Sequence, residues 1–341
     1  MCIRDSLSTA WVLPGLIGPA IAGTLAESVG WRWVFLAIVP LAPVNAVLAL
    51  PALRRLGPPA NASSVVGPRT PMLRGPVGWS LQLAAGVGLV VGGLGALSLL
   101  TVPLIVLGIA VGWPSLRRLL PEGTLRGATG IPSAVAARGL QTFAFFGAQA
   151  YLPLALREVR NQRAAVAGLV LTAATLSWTA GAWVQERRGH VFGRDRIVRR
   201  GFLLLAVGSA GSALVLLDAV PIPLAALAWA VAGFGMGMSY SGLSLILLGA
   251  APPGREGEAT SAIQLSDVLG MAVGTGLGGA AVAAGERSGS EPDVGIAVAF
   301  ALALVAAIIA CLVARRLPVS RSDEVEQADA PAGPADAPLV A

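Results

Sequence analysis

Apolar runs separated by short charged or proline-bearing breaks recur along almost the whole chain. A helix needs roughly 20 apolar residues to cross the ~30 Å hydrocarbon layer of a bilayer. Ten segments approach that length: 7–27, 31–50, 78–95, 97–113, 131–156, 164–184, 201–218, 222–249, 257–284 and 294–314. The pattern predicts an all-α membrane protein with about ten transmembrane helices, its main partner being the lipid bilayer. The stretch 76–116 is the least regular. It divides near "GGLGAL" and breaks again at Pro103, so it reads either as two spans or as one span with a re-entrant piece.

The polar positions assign sides. If alternate breaks lie on one side, beginning with 51–77, that side holds seventeen arginines and the opposite side five. Cytoplasmic loops carry such an excess, which implies an even number of spans and a cytoplasmic C-terminus. The discordant break is "LREVRNQRA", with three arginines on the far side. Residues 51–77, rich in proline and arginine, read as a cytoplasmic linker. Residues 317–341 turn acidic and rich in alanine and proline, with little to bury, and read as a disordered cytoplasmic tail. The opening "MCIRDS", residues 1–6, lacks the layout of a signal peptide and reads as a non-native leader.

Composition sharpens this picture. Charged residues make up 12% of the chain and mean hydropathy is +0.75, against about 25% charged in a soluble domain. The net charge is +6. Its arginines fall between apolar runs and not on one basic face, which argues against nucleic acid as a partner. All 24 basic residues are arginine. With the abundance of Ala, Gly and Pro, this points to a GC-rich bacterial genome and so to a bacterial plasma (inner) membrane. Cys2 and Cys311 have no metal or disulfide spacing. The one histidine, His190, lies in an arginine-rich break, and Asp267 is the one carboxylate at membrane depth. A Ser–His or paired-aspartate intramembrane protease therefore lacks its residues. No enzyme activity, cofactor or metal is expected.

Asp267 is the main chemical anomaly. In "GEATSAIQLSDVLGMAVGTGLGG" it stands about ten residues into its span, roughly 15 Å deep at 1.5 Å per residue. A carboxylate there costs on the order of 2.5–3.5 kcal/mol on insertion scales, and protonation removes its charge. Asp267 is thus a candidate for proton coupling or cation recognition, or else a carboxyl bonded within the bundle for packing. Gln264 lies one turn earlier on the same face. Gly270, Gly274 and Gly278 follow at four-residue spacing, suited to close helix packing. The span 131–156 carries a polar stripe of Arg138, Gln141 or Thr142, Phe145 and Gln149, with Tyr151 beyond. Gln141, Gln149 and Tyr151 are candidates for a substrate cavity. Arg138 either joins them or snorkels to the interface. In "GFGMGMSYSG", Tyr240 is a further cavity candidate, grouped with Trp229, Gly233 and Ser244 near one face, and the methionines read as packing.

Near the front, "PGLIGPAIAG" places Gly15, Gly18, Ala22 and Gly23 along one side, with Pro14 and Pro19 as kinks. By spacing alone this is either a tight helix crossing or a functional motif. The longer "PGLIGPAIAGTLAESVGWRWVFLAIVPL" resembles the fifth and sixth spans of the major facilitator superfamily, in its drug:proton antiporter branch. The family's motif G-x-x-x-G-P-x-x-G-G is matched by Pro14, Gly18, Pro19, Ala22 and Gly23, two of its glycines being replaced. "AWVQERRGHVFGRD" is similar to the family's loop motif G-x-x-x-D-R-x-G-R-K, reduced here to Ala182, Glu186, Arg187, Gly189 and His190.

The resemblance covers residues 7–316. It implies a partial major facilitator fold of the fourteen-span type, its first four helices preceding this sequence. Residues 7–50 would end the N-terminal bundle, 78–116 form the extra hairpin, and 131–316 form the C-terminal six-helix bundle. It further implies that Gly18 and Pro19 help seal the two halves. The function implied is proton-driven export of hydrophobic or cationic small molecules by a monomeric full-length protein, with this fragment inactive alone. The alternative is a non-transporting membrane scaffold or receptor-like protein. The family more often has an arginine near position 267, so it supplies no role for Asp267.

Overall fold

A computed structural model describes residues 25, 28–55, 75–96, 99–289 and 292–318. The motif positions Pro14, Gly15, Gly18, Pro19 and Gly23 lie outside these residues, as do most of 7–27, the linker 56–74 and the tail 319–341. The chain divides into two compact units at residues 82 and 83. The described elements are helical.

In the first unit, α1 (Trp31–Leu36) and α2 (Leu41–Arg55) occupy the span expected at 31–50. A turn at 37–40 separates them. Pro40 disfavours helix at the preceding residue and has no N–H of its own. Val39 and Leu41 instead donate to carbonyls three residues back, at 3.2 and 3.1 Å. The expected single helix is therefore two shorter ones. Helix α3 (Pro76–Ala96) begins in this unit and continues into the second.

The second unit contains the rest of α3, then α4 (Thr101–Leu119), α5 (Ile131–Leu154), α6 (Ala164–Phe192), α7 (Arg194–Ser212), α8 (Ile222–Ala250), α9 (Glu256–Arg287) and α10 (Pro292–Ala314). The described residues of stretch 76–116 form two helices, each long and apolar enough to cross a membrane. Pro103 stands in the first turn of α4, where a missing N–H costs nothing. The α3–α4 pair closes on glycine: a Cβ on Gly86 would lie 2.6 Å from the Gly112 Cα.

Among the described residues, seven helices are long and apolar enough to cross a membrane: 77–95, 101–119, 165–189, 194–216, 222–250, 256–287 and 293–314. Helix α5 is 24 residues long, but Ser133, Arg138, Gln141, Thr142 and Gln149 dilute its apolar face. It is instead the most enclosed helix, with α8, α9 and α10 packed around it. The aromatic centre stacks Phe145 on Trp229 at 4.8 Å.

Helices α6 and α7 differ from the expected spans 164–184 and 201–218. Each continues through the charged residues between them, leaving Gly193, at φ +82°, as the whole connection. Arg and Glu are good helix formers, so the charge that marks the edge of the apolar layer does not end the helix. At 29 residues, α6 is about 44 Å long, well beyond the ~30 Å layer.

One of the three arginines of the discordant break has a structural role. A π-helical turn, Ala155–Val159, extends α5 and presents Arg160. Its guanidinium donates to the carbonyls of Val215, Leu217, Asp218 and Val220 at 2.8–3.4 Å and pairs with Asp218 at 3.5 Å. Arg160 thus closes the α7–α8 turn and is not a free loop charge.

Candidate functional site

Helices α5 and α9 approach each other on small residues. A Cβ on Gly270 would lie 2.0 Å from the Gly139 carbonyl oxygen, and one on Gly147 would lie 3.4 Å from the backbone of Gly274. The glycines read from the sequence as packing elements therefore bring two polar stretches into register. The contact is pinned on both sides. Thr142 donates to the Asp267 carbonyl at 2.9 Å, and Ser266 donates to the Val135 carbonyl at 2.7 Å.

On this crossing Arg138 of α5, Tyr240 of α8 and Asp267 of α9 converge. Arg138 points into the bundle, its side chain 3% exposed, and does not snorkel to an interface. Its Nη2 donates to the Tyr240 carbonyl and, at 2.8 Å, to Ser244 Oγ. The guanidinium carbon lies 3.7 Å from the centre of the Tyr240 ring, a close cation–π contact. Arg138 Nη1 stands 3.7 Å from Asp267 Oδ1. The Tyr240 hydroxyl donates to Asp267 Oδ2 at 2.9 Å. Asp267 Oδ1 has no hydrogen-bonding protein partner. The Asp267 side chain is 15% exposed, with Oδ1 itself buried. It lies about 17 Å along α9 at 1.5 Å per residue.

A second polar contact lies one turn along α5. Gln141 is buried and donates to Ser239 Oγ at 2.6 Å, and Ser239 donates to the Gly235 carbonyl at 2.7 Å. Aromatic rings continue from the charged group. Trp178 of α6 lies 5.4 Å from Tyr240 and 5.3 Å from Phe145, and Phe146 lies 5.4 Å from Phe145. Phe146, Trp178 and Tyr240 are half-buried. The result is a wall of partly open aromatic faces beside a compensated carboxylate.

The other sequence candidates separate. Gln149 is half-buried on α5, and Gln264 is exposed one turn before Asp267. The Tyr151 hydroxyl donates to the Thr275 carbonyl, and its ring packs on Gly278, so Tyr151 joins α5 to α9. Met236 and Met238 are buried, as expected for packing. Glu186, Arg187 and Gly189 lie on the last turns of α6 and not in a loop. There Arg187 covers the Trp183 ring at 4.1 Å, Glu186 is exposed and Gly189 is buried. Among the described residues no group of three His, Cys, Asp or Glu could hold a metal.

Sequence reasoning missed Ser239, Trp178 and the buried Gln185. Ser239 immediately precedes Tyr240, and its spacing from Gly235 gave a usable signal. Trp178 gave none beyond its aromatic character.

Comparison with known proteins gives a family and relatives. The family model for the Major Facilitator Superfamily matches residues 134–340. Two Mycobacterium tuberculosis relatives, from strains CDC 1551 / Oshkosh and ATCC 25618 / H37Rv, are each named "probable multidrug-efflux transporter". Each is 26% identical over 327 residues, covering 92% of this chain and 69% of the relative.

Proposed function

Because the chain belongs to the Major Facilitator Superfamily, and so is a multi-pass membrane transporter, we propose that it exchanges protons for lipophilic, cationic small molecules and exports them. The observation that carries this reading is the Asp267 side chain, 15% exposed and with an unpartnered carboxylate oxygen, beside half-buried Phe146, Trp178 and Tyr240. A carboxylate in low dielectric attracts a cation or a proton, and aromatic faces hold flat apolar groups. The multidrug-efflux names of the two relatives support the direction and substrate class.

In this reading α5–α10 form one of the two bundles that rock about a central site. Helices α3 and α4 are the extra hairpin of a fourteen-span member, and the α6–α7 turn faces the cytoplasm of a bacterial inner membrane. Gln149 and Gln264 line the approach to Asp267. The transporter works as a monomer.

The test is uptake of tetraphenylphosphonium by everted vesicles containing the intact transporter, measured over a pH series. Uptake should collapse with a protonophore. Asp267→Asn keeps the shape of the side chain but leaves Arg138 without its counter-charge, so insertion and folding are checked first by size-exclusion in detergent. Its transport should lose pH dependence, because an amide cannot bind and release a proton. Superimposable pH profiles for the two proteins would overturn the coupling role of Asp267.

A further inference from the structure

The contacts of Arg138 are unequal. Its two hydrogen bonds and its ring contact go to α8: the Tyr240 carbonyl, Ser244 Oγ and the Tyr240 face. Toward Asp267 it makes only a 3.7 Å charge contact. The guanidinium is therefore positioned by α8 whether or not the carboxylate is ionised. Its hydrogen bonds to α8 persist when Asp267 loses its charge.

We propose that Arg138 is a fixed positive charge of the substrate site, and that it converts protonation of Asp267 into rejection of cations. This rests on the proton-coupling reading of Asp267. With Asp267 ionised, the pair is neutral overall and a cation meets no net repulsion. With Asp267 protonated, Arg138 is uncompensated and the site carries one positive charge. In a region of low dielectric that charge acts strongly on a ligand a few ångströms away. Proton and cationic substrate then exclude each other without competing for the same oxygen. Arg138 is on this view a specificity-determining residue, selecting against cations when Asp267 is protonated and leaving the site neutral when it is ionised.

The groups facing Asp267 make this assignment specific. Arg138 comes from α5 and Tyr240 from α8. The core-facing residues of α10, which also packs on α9, are apolar: Ile296, Ala299, Phe300 and Ala303. Helix α3 meets α9 through Val91 against Gly276. Tyr240 donates its hydroxyl to the carboxylate and carries no charge while it does so. The sign of the site is thus set by Arg138 and Asp267 together.

Tetraphenylphosphonium and tetraphenylborate share size and shape and differ in sign. Their binding to the purified intact transporter in detergent, compared at pH 6 and pH 8, tests the proposal. In the wild type, acidification should weaken phosphonium binding and strengthen borate binding. Asp267→Asn should bind borate at least tenfold more tightly than the wild type at pH 8, with no pH dependence. The double variant Arg138→Gln, Asp267→Asn replaces the ion pair by two amides, which avoids leaving either charge buried alone. It should lose the borate preference and supplies the background for non-specific partition. Unchanged borate binding in Asp267→Asn, or an equal gain in the double variant, would overturn the role of Arg138. A borate gain in Asp267→Asn with pH-independent binding in the wild type would support the fixed charge and overturn proton coupling alone.

Discussion

The seam between α7 and α8 and the seam between α5 and α8 share one helix and are built from opposite materials. On the α7 side, glycine admits backbone to backbone: a Cβ on Gly208 would lie 2.3 Å from the Ala232 nitrogen, and one on Gly235 would lie 2.5 Å from the Gly201 oxygen. On the α5 side Phe145 stacks on Trp229, and the polar contacts are Arg138 with Tyr240 and Ser244, and Gln141 with Ser239. Lipid tails are as apolar as leucine, so close van der Waals packing carries membrane helix association. The glycine seam supplies that packing. The polar seam places charge beside a partly open aromatic wall at the cost of desolvation. One face of α8 packs backbone to backbone, and another carries the polar contacts of the proposed site.

The largest expected effect breaks the glycine seam. Gly208→Val forces a side chain into backbone and should cost about 3 kcal/mol or more, at or above the upper end of overpacking penalties. Thermal unfolding followed by size-exclusion in detergent should show little folded protein. Next comes the clamp at the far end of α7. Arg160→Ala removes the side-chain donor to the carbonyls of Val215, Leu217 and Val220, of which Leu217 still accepts from the Val220 N–H, and should cost about 1–3 kcal/mol. Limited proteolysis should then cut within 213–221, while the pH profile of transport stays unchanged.

Smaller effects on stability sharpen the contrast. Gln141→Leu keeps the volume, and Ser239 retains its bond to the Gly235 carbonyl, so stability should change by less than about 1.5 kcal/mol. Transport should nevertheless fall severalfold in the vesicle assay. A stability loss as large as that of Gly208→Val would make the polar seam a structural one. The smallest effect is expected at a glycine off the seam. A Cβ on Gly249 meets nothing within 4 Å, so Gly249→Ala should shift stability by no more than about 0.5 kcal/mol.

Much of the fold was legible because hydropathy is a property of each residue by itself. The apolar runs located the seven helices long enough to cross a membrane, and the polarity of α5 was visible as the stripe Arg138, Gln141 and Gln149. Asp267 stood out for the same reason, being a carboxylate inside an apolar run. Helix ends were less legible. Residues 185–200 are rich in charge, yet all but Gly193 are helical, because leaving the apolar layer and ending a helix are separate events.

The tertiary structure alone decided which polar groups meet. Arg138 and Tyr240 are 102 residues apart, and their contact depends on which faces of α5, α8 and α9 turn toward one another. Those faces are set by the Gly139–Gly270 and Gly147–Gly274 approaches, whose spacing is readable but whose partners are not. From the sequence, Arg138 could snorkel or line a cavity, and Asp267 had no basic partner within its own helix. The fold turned Arg138 inward because Tyr240 and Ser244 offer it acceptors and a ring face there. The sequence determined that a charge had to be buried in this bundle. The packing of three helices decided what compensates it, because a buried charge is stabilised by the groups within a few ångströms of it and not by its neighbours along the chain.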